Sequence, residues 1–323
     1  MTETLPDDPT FAPAAALRLS EATALHTALS AAADLGLVDL IGAGVDTVDA
    51  LAREIGADRR LLGALVEALV SSAVLCRAGD RLEVDLVMWG YVQTSQQVWG
   101  GFVDVLRTGA APRHAGTVPG THPAYPVVVP YLARRFAPGG PALLDALRPP
   151  QGATVLDVGA GEAIWSMPFA QADPFCQVTA IDRGDVLAIA AAAATRAGVA
   201  DQYRFHEADV HDLQLTERFD VVIVANLLHL FDPTVAAAIV HRVAGHVAPG
   251  GTLAVVDVIV PSGVAAPAEV ALYALSLTLR TEHGGLFSFA ACASWLRAAG
   301  LGRIHQVDLP APPLSAVVAT LPS

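Results

Sequence analysis

The sequence predicts an α/β protein: an open, mostly parallel sheet with crossover helices, preceded by a helical module that carries a small hairpin. Three observations lead there. Five apolar stretches in the second half, TVLDV, QVTAID, YRFHEAD, FDVVIVAN and TLAVVDVIV, alternate with helix-like patterns, as parallel strands joined by helices do. The first of them runs straight into an acid and a Gly-Ala-Gly turn (VLDVGAGEA). Before Gln151 the apolar residues recur at helical spacing instead.

In chain order, residues 13 to 36 carry a helical pattern (Leu17, Ala22, Leu25, Leu29, Ala32, Leu35) that stops at Gly36. DTVDALAREIG reads as a second helix capped by Asp46, and ADRRLLGALVEALVSSAVL as a strongly amphipathic third. AGDRLEV places a Gly-Asp turn between short apolar stretches, a hairpin. Helices followed by a hairpin make a winged-helix arrangement over residues 1–100. Such a unit can bind DNA, but Arg59 and Arg60 stand among acids and leucines, so packing against a second subunit is expected. Residues 101–150 read as connecting helices on either side of a Pro/Gly-rich loop, and the parallel-sheet domain as residues 151–323.

Composition narrows the function. The 323 residues suit two domains, and 53% hydrophobic with 16% charged residues gives a large core. The net charge of −13 argues against nucleic acid, which needs a basic stripe. All 19 basic residues are arginine. The opening MTETLPDDPT is acidic, unlike a secretory signal, and charges interrupt the apolar runs before membrane length. Cys76, Cys176 and Cys292 are too scattered for a disulfide framework or a zinc site. A cytoplasmic protein without a metal, a membrane or a nucleic-acid partner is the expectation.

The glycine turn decides between cofactors. A dinucleotide site wants G-x-G-x-x-G, but Ile164 stands at the third position after Gly159 and Gly161. What matches is acid-x-Gly-x-Gly, beginning at Asp157. Asp182 closes the second strand, where a carboxylate can accept both hydroxyls of a ribose, whether in a nicotinamide dinucleotide or in S-adenosylmethionine. Asp209, read as closing the third strand, can take an adenine amino group. His229 follows the fourth strand, at the carboxyl edge where open sheets bind ligands. His206 and His211 read as solvated, and Trp165 and Phe169 as core.

With these residues in view, the chain resembles the class I S-adenosylmethionine-dependent methyltransferases, in particular the small-molecule O-methyltransferases with an N-terminal winged-helix dimerisation domain. ATALHTALSAAADLGLVDLI, TVDALAREIG, LRTG, VLDVGAGEA, VTAID, HEADV, LLHLFDP, PGGTLAVVDVIVP and WLRAAGL fall in family order. The resemblance implies a Rossmann-like domain in which Asp157, Gly159 and Gly161 form the methionine-side loop. It further implies that Asp182 binds ribose, Asp209 and Val210 frame adenine, and Ala225 and Asn226 line the methionine end. His229 falls at the family's catalytic base and Asp257 at the first of two acids beside it. The second acid has no counterpart near Gly285, Leu230-Phe231 replace an Asp-Trp pair, and Ala163 stands in place of a loop glycine.

The expected activity is methyl transfer to a hydroxyl of a small aromatic or polyketide-like metabolite, by a homodimer. The acceptor pocket is expected from the 125–136 and 271–289 segments, including Tyr131, Leu275, Leu279 and Phe287. Rival readings are N- or C-methylation, a non-methylating use of S-adenosylmethionine, and a winged-helix regulator. His229 also reads as a backbone-satisfied helix start, and Asp257 as a capped strand end.

Overall fold

The computed structural model describes residues 11–111, 125–261 and 267–323, with 11–15 as backbone alone. Two compact units divide the chain, residues 1–92 and 93–323. Most of the Pro/Gly-rich loop expected after Thr108 lies outside the described residues.

The first unit holds α1 (Phe11–Asp34), α2 (Leu37–Gly42), α3 (Val48–Ile55), α4 (Arg59–Ser71) and the antiparallel hairpin β1 (Leu75–Ala78) and β2 (Arg81–Val84). Gly79 turns the hairpin at φ +63°. Thr47, not Asp46, caps α3: its Oγ1 accepts from Ala50 N at 3.2 Å, while Asp46 is drawn off to Arg81 at 2.6 Å. Leu29, Leu37, Leu51, Leu62, Val66, Leu69 and Leu82 make the core. Residues 16–27 of α1 are exposed all round. A fifth helix, α5 (Leu86–Gly100), begins in this unit and ends in the next.

The two helices expected between residues 88 and 150 are each broken. Gly101 separates α5 from α6 (Phe102–Thr108), and Ala137-Pro138 separates α7 (Tyr125–Phe136) from α8 (Gly139–Leu147). The described helices of residues 101–150 fall in the larger unit.

The second unit is built on β3 (Thr154–Val158), α9 (Met167–Ala172), β4 (Gln177–Asp182), α10 (Gly184–Arg196), β5 (Tyr203–Glu207), β6 (Phe219–Ala225), α11 (Pro233–Ala244) and β7 (Val247–Asp257). After these come β8 (Ile259–Val260), α12 (Ala268–Thr278), β9 (Phe287–Ser288), α13 (Phe289–Ala298), β10 (Gly302–Asp308) and β11 (Ser315–Thr320). The sheet order is β10-β11-β7-β6-β3-β4-β5, with β3 to β7 parallel and the last two strands antiparallel. Alternate residues feed opposite faces: Val155, Val221 and Ile223 meet α8, α9 and α10, while Leu156, Val222 and Val224 meet α11 and α13. Buried on both faces, the central strands read as continuous apolar runs.

Helix α8 starts against the turn after β3. A side chain at Gly140 would collide with the carbonyl of Ile164, and one at Gly139 with the Trp165 ring at 2.6 Å. Only glycine permits that approach. Among the described residues no helix is long and apolar enough to cross a membrane.

Candidate active site

The strand order reverses at β3, which has β4 on one side and β6 on the other. The turns leaving β3 and β6 therefore part, opening a crevice at the strands' carboxyl ends. After β3, Gly159 (φ +72°), Gly161 (φ +58°) and Ala163 (φ +60°) are all left-handed. Ala163 holds with a side chain a conformation that glycine takes freely. Gly159 N and Ala160 N both donate to Ile181 O (2.8 and 3.0 Å), fastening the turn to β4.

Carboxylates frame this turn. Asp182 accepts from Gly161 N at 2.9 Å and from its neighbour Arg183 N at 2.8 Å. Burial raises its pKa, and those two donors oppose the rise. Beneath the turn Asp157 is wholly buried and accepts from Ser166 Oγ at 2.6 Å; that hydroxyl also meets Tyr203 Oη at 3.1 Å. Asp157 Oδ1 has no donor, and burial pushes the carboxyl up to about 7. Across the crevice Ala225 ends β6, and Asn226 (φ +52°) donates its N–H to Val256 O at 2.8 Å while its buried Oδ1 finds no donor. Gly159, Gly161, Ala225 and Asn226 line one cavity together with Tyr125 and Val129 of α7.

His229 lies one turn further on, in the short 3₁₀ segment Leu228–Leu230. It is 3% exposed, as is Asp257 at the end of β7. His229 Nδ1 is 2.7 Å from Asp257 Oδ1, and its backbone N–H donates to Oδ2 at 3.2 Å. Asp257 Oδ1 also accepts from Val258 N at 2.8 Å. A carboxylate so placed holds the proton on Nδ1 and leaves the Nε2 lone pair basic. Tyr273 Oη sits on that lone pair at 3.1 Å, the two rings edge to face at 5.5 Å. Arg280 lies 5.2 Å over the Tyr273 ring, and Gly285 N donates to His229 O at 3.0 Å.

The structure thus gathers Asp157, Gly159, Gly161, Asp182, Ala225, Asn226, His229 and Asp257 around one sheet edge. Asp209 does not close β5, which ends at Glu207; it sits in the following loop, its carboxylate accepting from His211 N at 2.8 Å. Val210 beside it is half-buried, its carbonyl accepting from Arg242 at 3.4 Å. Tyr131 is half-buried on α7, Leu275 half-buried on α12 and Leu279 buried just past it. Phe287 packs into the core edge to face with Trp295 at 4.8 Å, on the α13 side of the sheet. Trp165 and Phe169 are core; His206 is exposed, and His211 is half-buried against the Phe231 ring.

Three residues escaped the sequence reading: Tyr125, Tyr273 and Arg280. Tyr273 and Arg280 are seven residues apart, hence on one face of a helical path, and they are the aromatic and the charged residue in a run otherwise of aliphatic and small hydroxyl side chains. That spacing was the available signal. Leu275 and Leu279, chosen instead, fall off that face.

Residues 155–251, from β3 into the start of β7, match the family model described as a methyltransferase domain. An uncharacterised methyltransferase of Mycobacterium bovis is 37% identical over 123 residues, 38% of this chain. The chain spans little more than half of that relative, 58% of its length. The tetracenomycin polyketide synthesis 8-O-methyltransferase of Streptomyces glaucescens is 24% identical over 230 residues, 68% of this chain and 66% of its own. Human N-acetylserotonin methyltransferase, solved in complex with S-adenosylmethionine, superposes with a TM-score of 0.71 at 19% identity, covering 99% of this chain and 100% of the other. The fold is that of the O-methyltransferases.

Proposed function

We propose that this protein transfers a methyl group from S-adenosylmethionine to a hydroxyl of a small aromatic or polyketide-like metabolite, with His229 as general base. The observation that carries this reading is the Asp257–His229 pair, whose Nε2 already meets a phenolic hydroxyl, that of Tyr273, at 3.1 Å. The relatives, a polyketide synthesis O-methyltransferase and a methyltransferase solved with S-adenosylmethionine, point the same way.

The crevice suits the cofactor chemically. Asn226 Oδ1, on the cavity wall, is a buried acceptor in want of a donor, which a methionine ammonium provides. Gly159 and Gly161 bring backbone within reach where side chains would intrude. Asp182 takes the ribose hydroxyls, and Asp209 with Val210 borders the adenine. Bound there, S-adenosylmethionine supplies an electrophilic methyl group on a sulfonium.

The chain's own work is alignment and proton removal. Fixing a nucleophile in line is worth up to ~7–11 kcal/mol. A phenol with pKa near ~10 is mostly protonated at neutral pH, and its proton passes to His229 Nε2 as the oxygen attacks. Asp257 then stabilises the imidazolium that results. Such a base contributes roughly 10²–10⁴-fold. The acceptor hydroxyl takes the place on Nε2 that Tyr273 Oη holds.

The protein works as a homodimer through residues 1 to about 100, a reading supported by the exposed apolar length of α1. The test of the reaction is mass spectrometry of the purified protein with S-adenosylmethionine and hydroxylated aromatics, seeking a methylated product. His229→Gln should lower kcat by roughly 10²-fold or more, less so for acceptors of lower pKa. If kcat declines with acceptor pKa in the same way for both proteins, the base assignment is wrong. An amine or carbon acceptor, indifferent to the variant, would transfer the reading to N- or C-methylation.

A further inference from the structure

We propose that Arg280 binds a carboxylate on the methyl acceptor, so that the site selects hydroxylated aromatic acids over neutral phenols. This rests on the methyl-transfer reading above and names the acceptor class for the same site.

Arg280 follows α12 and is half-buried. Its Nε is enclosed and has no hydrogen-bond partner. The guanidinium carbon stands 5.2 Å from the centre of the Tyr273 ring, and Tyr273 Oη stands 3.1 Å from His229 Nε2. A fixed positive charge therefore lies about one aromatic ring away from the atom that takes the acceptor's proton.

The other charges nearby are answered. Asp257 has His229 and two backbone N–H groups, and Asp182 has two more. Arg280 makes no ion pair among the described residues. The Tyr273 side chain, through its ring face and its hydroxyl, is the neighbour that meets the guanidinium. Enclosing a guanidinium donor without an acceptor is unfavourable unless a ligand completes it.

S-adenosylmethionine does not complete it at the reacting end, because its sulfonium is itself positive and like charges repel strongly in a low-dielectric pocket. A carboxylate on the acceptor does so, and offsets the sulfonium as well. The planar fork of arginine fits a carboxylate through two parallel hydrogen bonds. A different use of the same charge, holding the acceptor's own oxyanion, predicts a kcat effect on every phenol alike. A carboxylate clamp acts on the binding of acids.

Calorimetry on the full chain saturated with S-adenosylhomocysteine separates these, with 1-hydroxy-2-naphthoate and its carboxamide as probes. The wild type should bind the acid about tenfold or more tightly than the amide, as hydrogen bonds to a charged group predict. Arg280→Gln should remove that preference, and Arg280→Lys should keep part of it. Affinity for S-adenosylhomocysteine and the Tm of each variant, measured on the same samples, report whether the fold and the cofactor half are intact. Equal affinity for acid and amide, no binding of either, or a preference that survives in Arg280→Gln would overturn the proposal. Wild-type protein that fails to bind S-adenosylhomocysteine would instead bring down the methyl-transfer reading, and this assignment with it.

Discussion

Asp157 is enclosed on every side, and one side-chain donor, the Ser166 hydroxyl, reaches it. An ionised carboxylate in such a place is short of donors, which is why burial pushes it up to about 7. Raising an acid's folded pKa above its unfolded value of ~3.9 means the folded chain binds the extra proton. The stability this contributes is complete below about pH 4 and is lost as pH rises toward about 7. Between pH 5 and 7.5 the wild type should lose about 2 kcal/mol more unfolding free energy than Asp157→Asn. Denaturant titrations of both proteins at each pH measure it, and parallel curves would contradict the assigned cause. Asp182 is placed differently: two backbone donors reach it, and lone pairs remain that would accept ribose hydroxyls under the proposed function. Asp182→Ala should weaken S-adenosylmethionine at least tenfold by calorimetry, each lost charged hydrogen bond being worth ~1.5–3 kcal/mol. Unchanged affinity would remove Asp182 from the site. Both aspartates were legible in the sequence because each stands at or beside the carboxyl end of an apolar strand. Tyr273 and Arg280 were not, because their meaning comes from His229, which lies over forty residues away in sequence.

Elements with a clean apolar run were read well: TVLDV and QVTAID match β3 and β4 residue for residue. The strands β10 and β11 went unread. β10 lies at the sheet edge with mostly exposed or half-buried side chains (GRIHQVD), so little apolar pattern marks it. β11 follows a proline-rich stretch that reads as loop, and its pairing to β7 is antiparallel and distant in sequence. The breaks at Gly101 and Pro138 were visible as residues, but helical period on both sides concealed them. Gly284 shows how a connecting element fixes His229. A Cβ there would lie 2.5 Å from the carbonyl oxygen of His229 and collide with Thr281 Oγ1, whereas one at Gly285 meets nothing within 4 Å. Backbone cannot step aside as a flexible side chain does, so Gly284→Ala should cost about 1–3 kcal/mol. It should also lower kcat steeply, since a shift of ~1 Å at a catalytic group costs on the order of 10²-fold. Gly285→Ala should keep the wild-type Tm. Thermal melts and turnover of Gly284→Ala decide it: wild-type values in both would show that this contact does not position His229.

At the scale of the whole molecule, the first unit raises a question that the second answers for itself. The sheet domain buries its apolar strands under helices on both faces. The amino-terminal helix does not: residues 16–27 of α1 are exposed on every side, with Leu17 at 60%, Leu19 at 70% and Leu25 at 36%. Isolated helix of that length is marginal in water, and its stability in proteins comes from packing an apolar face. Under the proposed homodimer, a second copy of the chain would offer a matching surface, because a two-fold interface is self-complementary. An obligate interface of that kind buries more than ~2,000 Å². Light scattering should therefore give a dimer at micromolar concentration. Leu17→Glu with Leu25→Glu removes two apolar anchors worth ~1.5–3 kcal/mol each when buried, weakening association by roughly 10²–10⁴-fold. The double variant should run as a monomer and lose helical ellipticity, because α1 would have no surface to lie on. A wild-type monomer, or a double variant that remains dimeric with its helix content intact, would place the interface elsewhere.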